Sequence, residues 1–114
     1  MGAQSPDTAR EYLSSTLIDT AAGGDVVIAA AVATKKVRLY RLLLNCHAAQ
    51  LVTVKDSADT VLLPQVSMGA TGGLVLDFDG HSWVDAATGL GLKITLANAV
   101  QTSGKAWYTQ RGEP

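Results

Sequence analysis

Apolar and polar residues alternate with period two along most of this chain, and that period predicts strands. The cleanest stretch sets Leu90, Leu92, Ile94 and Leu96 against Gly91, Lys93, Thr95 and Ala97. Leu51 to Lys55 alternates in the same way, with Val52 and Val54 on one face. Lys36 to Cys46 is the longest predicted strand. In it Val37 and Leu39, with Leu43 as a further candidate, face one way. Arg38, Tyr40, Leu42, Leu44 and Cys46 face the other way. That second face is polar early and apolar late. Such a strand is wet at its start and covered at its end, or it carries a bulge near Arg41.

Turn residues separate these runs. Thr16-Leu17-Ile18 is a short strand ended by Ala22-Gly23-Gly24, and Asp25 to Val32 is the next. Asp56-Ser57-Ala58-Asp59 reads as a turn, and Thr60 to Leu63 returns from it. Pro64 marks an edge or a strand end, with Gln65 to Met68 as a further short strand. After the loop Gly69 to Gly73 comes Leu74 to Phe78, then the Asp79-Gly80 turn and a short extended piece at Trp83 and Val84. Thr102 to Gln110 is the last strand. Strands recurring every ten or so residues, with turns between, predict an all-β sandwich or barrel.

The start of the chain reads differently. Ser5-Pro6-Asp7 has the pattern of a helix start: Ser as cap, Pro at the first helical position, an acid in the first turn. Ala9, Tyr12 and Leu13 would share one face of that helix. So short a helix is marginal alone, so the segment either frays or is ordered by a neighbouring subunit. The expected organisation is an N-terminal arm over residues 1–24, with a short helix and an edge strand, followed by a β-sandwich domain over 25–114.

Composition narrows the function. At 114 residues there is room for one domain and one modest core. The core is predicted to be small and aliphatic, because Phe78 is the sole Phe. Nine basic and ten acidic residues give a formal charge of -1. The one dense basic stretch is Lys35-Lys36-Val37-Arg38, continuing to Arg41, too little for phosphate-driven nucleic-acid binding. Cys46 is the only cysteine, so no intrachain disulfide can form. The N-terminus lacks the pattern of a secretory signal. The longest apolar run, Val26 to Ala33, is far short of the roughly 20 residues that span a bilayer. Synthesis in a reducing cytoplasm and no membrane partner are the expectations.

Candidate chemistry is sparse. Asp77, Asp79, His81 and Asp85 crowd together, but their spacing does not match a calcium loop, and Asp and Gly are what a turn requires. Cys46 and His47 are neighbours on a strand and point to opposite faces, so they cannot form a local nucleophile pair. A buried, inert thiol is expected. Gly69 to Gly73 lacks the Lys-Ser/Thr of a phosphate loop. Trp83, Trp107 and Tyr108 could form a sugar platform, but Trp107 and Tyr108 alternate, so one should pack inward. No catalytic, cofactor-binding or metal-binding residue emerges, and the chain is expected not to be an enzyme.

The order of features from about residue 25 to 110 resembles the small β-sandwich (jelly-roll-like) structural proteins of tailed bacteriophages. The matching run begins with Val26-Val27-Ile28-Ala29-Ala30-Ala31-Val32-Ala33, then Lys36-Val37-Arg38-Leu39, Ala48-Ala49 and Val52-Thr53-Val54-Lys55. It continues with Leu63-Pro64, Gly72-Gly73-Leu74-Val75-Leu76, Trp83, Ala86-Ala87-Thr88-Gly89-Leu90-Gly91-Leu92 and Ile94-Thr95-Leu96. It closes on Val100-Gln101-Thr102-Ser103-Gly104 and Trp107-Tyr108. The turn from Asp77 to His81 departs from the family's usual Pro/Asn-rich form, and residues 1–24 fall outside the likeness.

The resemblance implies an antiparallel β-sandwich of jelly-roll type with about eight strands. It implies a virion component, foremost a capsid decoration (cement) protein on the capsid exterior. Its partner would be the major capsid protein, and it would self-associate as a homotrimer. A tail, fibre or baseplate piece is the alternative, and a carbohydrate-binding module using Trp83 or Trp107 is a third reading. The N-terminal arm would be a clasp ordered on a neighbour.

Overall fold

The computed structural model of the chain describes residues 13–77, 82 and 84–112. The elements there are strands: β1 (Ser14–Thr20), β2 (Gly24–Ala29), β3 (Lys35–Cys46), β4 (Gln50–Asp56), β5 (Val61–Met68), β6 (Gly73–Asp77), β7 (Val84–Asp85), β8 (Leu92–Leu96) and β9 (Thr102–Gly112). The protein is all-β, and its strands form two antiparallel sheets packed together. The first sheet runs β1-β9-β3-β6, with the two-residue β7 also on β3; the second runs β2-β8-β4-β5. The pairs β1 with β9, β2 with β8, β3 with β6 and β4 with β5 nest inside one another along the chain.

Alternation builds the core. In β8, Leu92, Ile94 and Leu96 are buried while Lys93 and Thr95 are not, as the sequence predicts. Val52 and Val54 of β4 meet them from the neighbouring strand. The first sheet answers with Ile18, Val37, Leu39, Leu42, Leu44 and Ala106. Each fully buried Leu, Ile or Val contributes about 1.5–3 kcal/mol relative to exposure.

The longest strand needs an irregularity to join this core. Leu39 lies opposite Tyr108 and Arg41 opposite Trp107, so Tyr40 is one residue extra on β3. This bulge re-phases the strand. Val37 and Leu39 before it, and Leu42, Leu44 and Cys46 after it, all reach the core face. The bulge expected near Arg41 is present. Leu43 does not share a face with Val37 and Leu39, because the extra residue turns it outward.

Several boundaries differ from the alternation pattern. Strand β5 extends from Val61 to Met68 as one element running through Pro64, rather than as two strands. It tolerates Pro64 because it is an edge strand with register shifts against β4. β2 ends at Ala29, and Val32 beyond it is exposed. Leu90 is half-buried ahead of β8. The helix expected from Ser5 and the side chain of Phe78 lie outside the described residues. Within the expected arm, β1 is an edge strand of the first sheet, with Ile18 buried.

Among the described residues, every buried side-chain nitrogen and oxygen has a hydrogen-bond partner. Gln50 Nε2 donates to the Asn98 carbonyl at 2.8 Å, and its Oε1 accepts from the Asn98 amide at 2.8 Å. That side chain ties β4 to the turn before β9. Asp56 Oδ1 accepts from the amides of Ala58 and Thr60, both at 2.9 Å, which pins the turn between β4 and β5. Gly104 of β9 passes so close to β3 that a Cβ there would overlap the Leu43 carbonyl.

Candidate functional site: the outer face of the first sheet

Register decides what the outer face of the first sheet presents. Leu17 lies opposite Lys105, Lys105 opposite Leu43, and Leu43 opposite Val75. One row therefore crosses β1, β9, β3 and β6. Leu17 is 74% exposed, Leu43 42% and Val75 63%. The next row holds Ser15, Trp107, Arg41 and Asp77.

Trp107 organises the cations between these rows. The Arg41 guanidinium lies 5.1 Å from its ring centre and the Lys105 ammonium 5.6 Å, both within cation–π range. Arg41 Nε also lies 3.5 Å from Asp77 Oδ2. On one flank, the Gln101 side-chain amide joins Asp19 Oδ1 at 2.6 Å and Ser103 Oγ at 3.0 Å. On the other, Arg38 Nε is 3.9 Å from Asp85 Oδ2. The face is an aliphatic row interrupted by Lys105 between Leu17 and Leu43, with an aromatic beside it and further polar residues at both margins.

The other candidates separate in space. Cys46 is buried, with its Sγ 3.4 Å from the Gly69 carbonyl and 3.5 Å from that of Gly72. His47 beside it is exposed, so these two residues do not pair. An open dent runs past Asn45, His47 and Thr71 and over the buried Cys46, and among the described residues no acid lines it to orient a base.

In the Gly69–Gly72 turn, the Gly72 amide donates to the Gly69 carbonyl at 2.9 Å. The Gly72 carbonyl accepts from the Cys46 amide at 3.0 Å. A phosphate cradle requires amides free to point at the ligand, and this turn has its Gly72 amide occupied.

Asp77 and Asp85 pair with different arginines. Among the described residues no three metal-ligating side chains come together. Asp79, His81 and the Asp79-Gly80 turn lie outside the described residues, as does Trp83. Tyr108 packs against the core and Trp107 faces out, half-buried. The two therefore share no platform, and Trp107 already has Arg41 and Lys105 over its ring.

Sequence reasoning could find half of this face. Alternation leaves apolar residues on both sides of β3 and β9, which flags those two strands and Trp107 but not the direction of Leu43. It cannot align Leu17 with Val75, because they are brought into one row by pairings across the sheet. Compared with protein-family models, curated proteins and solved structures, the chain matches none.

Proposed function

We propose that this chain is a non-catalytic assembly module that docks through the outer face of its first sheet, as a capsid decoration protein of a tailed bacteriophage. The observation that carries the docking face is the exposed row Leu17, Leu43 and Val75 beside Trp107. Exposed apolar side chains gathered in one place, rather than scattered, mark interaction sites. The virion assignment is supported by the resemblance of residues 25–110 to phage β-sandwich proteins. The nested strand pairs fit the jelly-roll order that this resemblance implies.

The partner on this reading is the major capsid protein, bound where its subunits meet on the capsid exterior. A module that binds only the assembled shell stabilises it by mass action.

Immuno-electron microscopy of virions, with antibodies against this chain, tests the assignment. Label over the head is the expected result. Label confined to the tail or baseplate would replace decoration with the tail reading. Binding of purified chain to capsids should fall with Leu43→Lys or Val75→Lys. Glycan binding lost in Trp107→Ala, with capsid binding absent, would move the assignment to carbohydrate recognition.

A further inference from the structure

The first sheet ends at β1, and a strand at an edge leaves about half of its backbone N–H and C=O groups without a partner strand. Three of the four edges of this sandwich are blunted. β5 contains Pro64 and two register shifts. β2 is bulged between Val27 and Ala29. The flank of β3 is divided between the five-residue β6 and the two-residue β7. Each of these is a known device against edge pairing. Among the described residues β1 has none: it runs seven residues, Ser14–Thr20, in unbroken register on β9, without Pro, Lys or Arg. Among the described residues, only β9 pairs with it.

We infer that β1 pairs antiparallel with β1 of a second copy, joining two first sheets into one. Centred on Leu17, this register is self-complementary. Leu17 meets Leu17, Thr16 meets Ile18, and Ser15 meets Asp19. Asp19 is the only charged residue of the strand. In this register it faces a hydroxyl rather than another carboxylate, and its Oδ1 is already held by Gln101 at 2.6 Å. The pairing covers Leu17, at 74% the most exposed large apolar side chain among the described residues. It also runs the aliphatic rows of the two copies end to end across a continuous sheet. A two-fold isologous contact of this kind closes at two copies, where the phage resemblance implies three.

The inference uses the strand edge rather than the sheet face. Its failure is therefore separable from that of the proposed function, whose variants Leu43→Lys and Val75→Lys leave β1 intact. Sedimentation velocity of the full chain over a dilution series should show a dimer dissociating to monomer. Leu17→Lys should weaken the dimer at least about tenfold, with unchanged circular dichroism and, at dilutions where both proteins are monomeric, an unchanged thermal midpoint. Leu17→Cys should oxidise to a disulfide-linked dimer, because directly opposed antiparallel positions lie about 4.5–5.5 Å apart between Cα atoms. Val27→Cys, exposed on the second sheet, should not. A monomer at every concentration, a trimer, or a Leu17→Lys dimer as tight as the parent would each overturn the inference.

Discussion

On the outer face of the second sheet, a row crosses Val27, Lys93, Lys55 and Val61. On the first, the corresponding row crosses Leu17, Lys105, Leu43 and Val75. Both rows carry exposed aliphatic side chains, so exposure alone does not distinguish them. Their centres do. Lys93 Nζ donates to Asp25 Oδ2 at 2.9 Å and to Asp59 Oδ1 at 2.6 Å, and Thr95 Oγ1 donates to Asp25 Oδ1 at 2.7 Å. The second sheet's valines are therefore separated by lysines and hydrogen-bonded carboxylates. On the first sheet Leu43 and Val75 are adjacent, and Arg41 and Lys105 both lean on an indole. An aliphatic residue contributes to binding when its neighbours also shed water readily, as in the centre of an interface. On the proposed reading, the adjacent Leu43 and Val75 meet that condition and the separated valines of the second face do not.

The inner faces should behave alike, and the largest effects test that. Leu44→Ala in the first sheet and Ile94→Ala in the second should each cost about 2–5 kcal/mol in urea unfolding. A much smaller loss for one would mean that its sheet is loosely packed. Gly104→Ala should cost about 2–4 kcal/mol, since the added methyl overlaps the Leu43 carbonyl and pushes β9 off β3. It should also disturb the outer row, which that pairing aligns. Leu43→Lys and Val75→Lys should change stability by no more than about 0.5 kcal/mol, yet reduce partner binding at least about tenfold. Val27→Lys and Val61→Lys on the second face should leave binding unchanged. Equal losses from both faces would erase the distinction.

Smaller effects sharpen it. Thr34, on neither face, holds a φ of 69°, in the left-handed region that a β-branched residue resists. Thr34→Gly should raise stability by about 0.5 kcal/mol without touching binding. The Lys93 cluster sets the smallest effect. Hydrogen bonds from Lys93, then from Thr95, hold Asp25 below the usual carboxylate range. Asp25, then Asp59, hold the Lys93 ammonium above its ordinary value. Asp25 thus adds stability above its unfolded pKa, and this is lost as pH falls through its depressed folded value. Lys93 adds stability below its unfolded pKa, and this is lost as pH rises through its raised folded value. Lys93→Met should therefore flatten the dependence of the thermal midpoint on pH in the acid and the alkaline range. High salt should produce much of the same change in the parent, because the pairs are exposed.

How much of the molecule is legible in the sequence depends on distance along the chain. Local signals carry the strands: β8 and β4 follow directly from alternation. The change of phase in β3 announces the Tyr40 bulge, because no regular strand buries Val37, Leu39, Leu42 and Leu44 together. The union of Gln65 to Met68 with the residues before Pro64 is not legible, since only an edge position makes a mid-strand proline tolerable. Nor is Leu43's outward turn, which needs the bulge placed to the residue. Across the sheet, the row from Leu17 to Val75 depends on three pairings between segments far apart in sequence. No local pattern encodes such a register.

The single cysteine makes the molecule its own stopwatch. Cys46 is sealed under the Gly69–Gly72 turn, at the end of the sandwich where β3 gives way to β4. A thiol reagent can reach it only when that end opens, so the labelling rate reports the frequency or the equilibrium of opening. When closing outruns labelling, the rate scales with reagent concentration and yields an opening free energy. When labelling outruns closing, the rate reaches a plateau at the opening rate itself. No other thiol competes for the reagent, so the loosening or tightening of this end on assembly can be timed in the unmodified protein.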